Sequence, residues 1–67
     1  MIDAYIVRDP QGRVIGLSLT NYIVALGDAE AEGHIPRAAY RELLNGCENR
    51  DAGEYRGYTL KREQVAL

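Results

Sequence analysis

The sequence predicts a small α+β fold, in one domain over residues 1–67: a β-hairpin, then two or three short helices of helix-turn-helix-like character, then a C-terminal third strand. Three observations point to it. Asp9-Pro10-Gln11-Gly12 separates two runs rich in β-branched and aromatic residues. The stretch from Gly33 to Gly46 reads as one short helix with a marked start and a marked stop. Residues 54–62 alternate as a strand does.

In chain order, Ala4-Tyr5-Ile6-Val7-Arg8 forms the first strand and Arg13-Val14-Ile15-Gly16-Leu17 the return strand. Between them, Asp at the first turn position, Pro at the second and Gly at the fourth make a type I turn, with Gly12 free to take positive φ in a bulge. Ser18 and Thr20 are the candidate N-caps for the first helical region. Leu19, Ile23 and Leu26 share a helical face, and Gly27 either ends this helix or sits inside a longer one. One broken helix or two short ones are expected across residues 20–32, with Gly33 and His34 turning the chain. Pro36 suits the first helical position and Ile35, preceding it, stays extended. Asn45 and Gly46 are suited to closing a helix over residues 36–44. The predicted core comprises Tyr5, Val7, Val14, Ile15, Leu17, Leu19, Ile23, Leu26, Ile35, Ala39, Leu43, Leu44, Tyr58 and Leu60. Residues 47–53 read as a polar loop, and residues 63–67 as a short tail.

A chain of this length buries only roughly 60% of its unfolded surface, and its core supplies about 3–5 kcal/mol of net stability. One cysteine, Cys47, excludes an internal disulfide. No Cys/His cluster offers a structural metal site, so stability must come from packing, a homodimer or another partner. A lone cysteine and an N-terminus without a basic start and apolar run suggest a cytoplasmic protein. No apolar run is long enough to span a membrane. Five tyrosines stand where Phe and Trp are absent, which suits the edge of a small core or an interface.

Net charge is −2, unusual for a free-standing nucleic-acid binder. The charge is uneven. Residues 1–33 carry two basic side chains against five acidic, residues 34–67 six against five. Arg37 and Arg41, four residues apart on the predicted helix, with Arg56, Lys61 and Arg62 (and Arg50) as flankers, form the best candidate nucleic-acid-binding set. Catalytic chemistry has little to stand on. His34 and Cys47 flank opposite ends of one helix, about 15 Å apart at 1.5 Å per residue, too far for a nucleophile and its base. Asp28, Glu30 and Glu32 lack the longer, glycine-broken run of a calcium loop, and the glycines form no phosphate-binding pattern. No enzyme activity, cofactor, metal or small-molecule substrate is expected.

The chain resembles the nuclease-associated modular DNA-binding domains of intron-encoded homing endonucleases. The matching residues are Asp9 and Gly12 in the turn, Ser18 before the first helix, Gly33-His34-Ile35 at the turn, Leu44-Asn45-Gly46, and Gly57-Tyr58 opening the last strand. Tyr40 stands where the family has an aliphatic residue. The resemblance covers residues 4–62. It departs in a longer first helical region, in an acidic rather than basic balance, and in having no nuclease domain in this sequence. It implies groove-facing roles for Arg37 and Arg41 and phosphate contacts for Lys61 and Arg62. The expected function is therefore a non-enzymatic module that binds DNA through the helix at 36–44. The alternative is a small phage-type regulator, an anti-CRISPR-like inhibitor being one instance. It would bind a nucleic-acid-handling protein through Asp28, Glu30, Glu32, Tyr40 and Tyr55.

Overall fold

The computed structural model describes residues 1–47 and 52–66. Among them run β1 (Ile2–Arg8), β2 (Val14–Ser18), α1 (Tyr22–Ala31), α2 (Arg37–Cys47), β3 (Gly53–Tyr55) and β4 (Tyr58–Val65). The strands form one antiparallel sheet in the order β2-β1-β4-β3. The first and last strands are thus its centre, paired from Ile2 opposite Val65 to Arg8 opposite Thr59. Both helices cover one face, α1 over β2 and β1, α2 over β3 and β4, and they touch each other.

The first hairpin closes as expected. The Gly12 N–H donates to the Asp9 carbonyl at 2.8 Å and Gly12 has φ +86°. Asp9 is buried at 7% exposure. Its carboxylate accepts from the N–H groups of Gln11 (3.0 Å) and Arg13 (2.9 Å) and from the Arg13 Nε at 2.8 Å. Burial alone would raise its pKa. The hydrogen bonds and charge of Arg13, with the Gln11 N–H, outweigh that and hold it below the ordinary 3.8. A depressed native pKa gives a stabilisation that is complete above the unfolded value and lost as pH falls through the native one. Urea midpoints measured across acidic pH should therefore fall more steeply below pH 3.8 for the wild-type chain than for Asp9→Asn. Parallel profiles for the two chains would contradict this account.

The final segment is a hairpin rather than the single third strand predicted over residues 54–62. Arg56 (φ +52°) and Gly57 (φ +89°) make a two-residue turn between Tyr55 and Tyr58, which pair across it. Two successive positive φ values match the twist of the flanking strands. A Cβ on Gly57 would lie 3.0 Å from Pro10 Cβ, so the two hairpin turns abut.

α1 is one unbroken helix through Gly27, not the broken pair expected over residues 20–32. Its N-cap is Asn21, whose side chain accepts from the Val24 N–H at 2.9 Å. Ser18, expected as a cap, is buried one step earlier. Its Oγ accepts from the Thr20 N–H at 3.1 Å and shares a 2.9 Å hydrogen bond with the Thr20 hydroxyl, so Thr20 does not cap the helix either. The helix ends in a Schellman arrangement. His34 N–H donates to the Ala29 carbonyl and Gly33 N–H to that of Glu30, both at 3.0 Å, with Gly33 at φ +78°.

Val7, Leu26, Leu43 and Leu60 are the largest fully buried side chains, joined by Ala25, Ala29, Ile35 and Ala39. All five tyrosines pack around this cluster half-buried, with Tyr5 and Tyr22 edge to face at 6.4 Å. Four residues expected inside, Val14, Leu17, Leu19 and Ile23, are exposed. α1 instead turns Tyr22, Ala25, Leu26 and Ala29 inward, with the small Ala25 and Ala29 where the helix comes closest to the sheet, at Gly16. A Cβ on Gly16 would stand 2.4 Å from the Ala25 carbonyl oxygen.

On the sheet face without helices, Ala4 and Ile6 are nonetheless buried. Arg8 lies on that face and forms an ion pair with Glu63, which stands opposite Ala4 in register. The guanidinium stem therefore runs along the Ile6 rung and shields it, as long basic side chains do.

Candidate nucleic-acid interface

α2 is positioned by its entry and its inner side. Ile35 is buried just before it, and the Pro36 carbonyl accepts the Tyr40 N–H at 2.9 Å. Ala39 and Leu43 face the core, with Tyr40 and Leu44 packed at its margin. This leaves Arg37, Ala38, Arg41, Glu42 and Asn45 exposed. Arg37, Arg41 and Asn45 stand at intervals of four, so they form a single row. Asn45 was not among the expected binding residues. Its spacing from Arg41 was the available clue, masked by its reading as a helix stop. The helix in fact continues through Gly46 to Cys47, with open space around Gly46.

Ion pairing separates these arginines from Arg8, Arg13 and Arg62. Arg8 pairs with Glu63, Arg13 with Asp9 at 2.8 Å, and Arg62 with Asp3 at 2.7 Å. Among the described residues, no carboxylate pairs with Arg37 or Arg41. The first turn of α2 holds no acidic side chain. Arg37 therefore adds positive charge at the positive end of the helix dipole, and Arg41 repels it one turn on. Each effect costs α2 about a few tenths of a kcal/mol. An anion laid along the row would relieve both.

The remaining expected contacts are dispersed. Lys61 stands opposite Ile6 in register, on the sheet face away from the helices. Arg62 stands opposite Tyr5, on the helix-bearing face, and is tied to Asp3. Arg56 sits at the tip of the second hairpin with its guanidinium 5.5 Å over the Tyr55 ring. Arg50 lies outside the described residues. The surface expected for a protein partner is also spread over elements. Asp28 and Glu32 are exposed at the end of α1 and Glu30 is half-buried, while Tyr40 and Tyr55 pack on the core from α2 and β3. Glu32 lies 3.2 Å from His34.

No protein-family model, curated protein or solved structure matches this chain.

Nothing catalytic converges elsewhere among the described residues. His34 and Cys47 stand at opposite ends of α2, and no group of His, Cys, Asp or Glu is gathered to hold a metal ion. A depression of about 380 Å³ lies between Asp9, Arg13, Val14, Ile15, Gly33 and His34, but Asp9 and Arg13 already satisfy one another there. No helix among the described residues is long and apolar enough to cross a membrane.

Proposed function

We propose that the chain is a non-enzymatic DNA-binding module that lays the outer row of α2 against duplex DNA. The observation that carries this reading is the pair Arg37 and Arg41, exposed one turn apart and unpaired among the described residues, in a chain of net charge −2 whose other described arginines mostly hold carboxylates. The major groove of B-DNA admits one α-helix. Affinity comes from guanidinium contacts to phosphate, and sequence preference from side chains that reach base edges. Arginine suits the O6 and N7 of guanine, asparagine the N6 and N7 of adenine. Ala38, small and exposed beside the row, lets the helix backbone approach. The resemblance to the nuclease-associated modular domains supports the same helix. The acidic balance of the chain keeps such binding weak and confined to low salt.

Fluorescence anisotropy with a labelled duplex across a salt series tests this. Affinity should fall log-linearly with salt, each neutralised phosphate contributing about 0.9 to the slope. Arg37→Ala with Arg41→Ala should therefore lower the slope by about two and weaken low-salt binding at least about tenfold. A double variant with wild-type affinity and slope, or a wild-type chain that binds no duplex at low salt, would overturn the reading.

A further inference from the structure

The turn of the second hairpin carries a further inference, which rests on the DNA-binding reading and extends its surface. Among the described residues, Arg56 is the only non-glycine with positive φ, at +52°. With Gly57 at +89° it fills a two-residue turn whose first place favours asparagine, aspartate or glycine. Residues with a side chain seldom adopt this conformation. It persists where the surroundings hold it, and it clusters at functional sites.

The surroundings here aim the arginine. A Cβ on Gly57 would lie 3.0 Å from Pro10 Cβ, so the first hairpin braces the second. The Arg56 guanidinium lies 5.5 Å from the centre of the Tyr55 ring. Tyr55 stands on the helix-bearing face of the sheet and packs on the core, in the strand that α2 covers. The exposed arginine is therefore held on the same side of the sheet as α2. Glu54, its neighbour but one, falls on the other face by strand alternation. No carboxylate among the described residues pairs with Arg56.

The start of α2 lies at the same end of the molecule. Asp9, Arg13, Gly33 and His34 line one depression, and Pro10, next to Asp9, adjoins Gly57. His34 precedes Arg37 by three residues. Arg56 and Arg37 thus share one end and one side, whereas Lys61 lies on the opposite sheet face and Arg62 is tied to Asp3. A helix seated in a major groove about 12 Å wide brings the elements beside it against the bordering phosphates. A guanidinium presents forked donors to a phosphate, and stacking on an aromatic ring fixes their direction beforehand. We propose that Arg56 is a phosphate contact of the DNA surface, gripping the backbone that borders the groove beside the N-terminal end of α2.

Arg56→Asn tests this, because it should move stability and binding in opposite directions. Asparagine suits the turn, so the urea midpoint should equal or exceed that of the wild-type chain. Fluorescence anisotropy with a labelled duplex should show a salt slope lower by about 0.9 and low-salt affinity weaker by about threefold or more. Arg56→Lys, which keeps the charge, should retain the slope, and Lys61→Ala should leave slope and affinity unchanged. A wild-type chain that binds no duplex at low salt, or wild-type binding in the Arg37→Ala, Arg41→Ala double variant, removes the DNA reading and this contact with it. Where the DNA reading stands, wild-type slope and affinity in Arg56→Asn overturn the contact alone. So do a lowered midpoint in Arg56→Asn and an equal slope loss in Arg56→Lys, either of which assigns the side chain to the turn. A loss in Lys61→Ala as large as that in Arg56→Asn also overturns it, since the attraction would then be diffuse.

Discussion

Gly16→Val should abolish the cooperative unfolding transition of this chain. A Cβ at position 16 would stand 2.4 Å from the carbonyl oxygen of Ala25, 3.4 Å from its carbonyl carbon and 3.2 Å from Ala29 Cβ. Two of these three are backbone atoms of α1, so no rotamer change relieves the contact, and the helix must lift from the sheet. Overpacking a core costs about 1–3 kcal/mol and occasionally more, while a small domain holds about 3–5 kcal/mol in all. Alanine already meets the carbonyl oxygen, and valine adds two methyl groups behind it. Urea unfolding followed by far-ultraviolet circular dichroism should show a large drop in midpoint for Gly16→Ala and no cooperative transition for Gly16→Val. Gly27→Ala is the contrast. Nothing lies within 4 Å of its Cβ position, and alanine is a better helix former by about 1 kcal/mol, so that variant should unfold at an equal or higher midpoint. A Gly16→Ala midpoint equal to wild type would show that α1 is not held against β2 at this point.

Leu43→Ala should cost about 3 kcal/mol, within the roughly 2–5 kcal/mol range for leucine truncated in a core. Leu43 is fully buried, on the side of α2 opposite Arg37 and Arg41. It holds the helix that presents the arginine row, and its loss takes most of the stability a chain of this size possesses. Leu43→Met, which conserves volume, should cost less than about 1.5 kcal/mol. Denaturant midpoints for the two variants measure the difference. Equal midpoints would mean that the site collapses around the truncated side chain and that α2 is anchored elsewhere.

Legibility of the chain depended on whether local chemistry or tertiary contact decided the outcome. The first hairpin was legible because Asp9, Pro10 and Gly12 each have one favoured place in a turn. α2 was legible from Pro36 and the apolar spacing of Ala39 and Leu43, and so was the exposure of Arg37 and Arg41. The Asn45-Gly46 stop was not obeyed, since the helix continues to Cys47. The second hairpin was hidden because Arg56 adopts a positive φ that arginine does not advertise. The inward face of α1 was misjudged because Tyr22 to Leu26 are apolar on every side of the helix, and periodicity cannot choose among them. The choice falls to Gly16, whose close approach admits Ala25 and Ala29 and leaves the larger Ile23 outside. The dispersal of the basic set was equally unreadable. That Lys61 and Arg62 fall on opposite faces is a matter of strand alternation, but that Arg62 finds Asp3 is a contact across most of the chain.

The pairing of β1 with β4 governs when this molecule can acquire its structure during synthesis. Each hairpin and the helical pair are local, but the rungs from Ile2–Val65 to Arg8–Thr59 join residues more than fifty positions apart. Contacts of that separation are won late, after the entropy of a long closure has been met. A nascent chain leaving the ribosome exposes β1 with no partner on its β4 side until residues 58–65 have emerged.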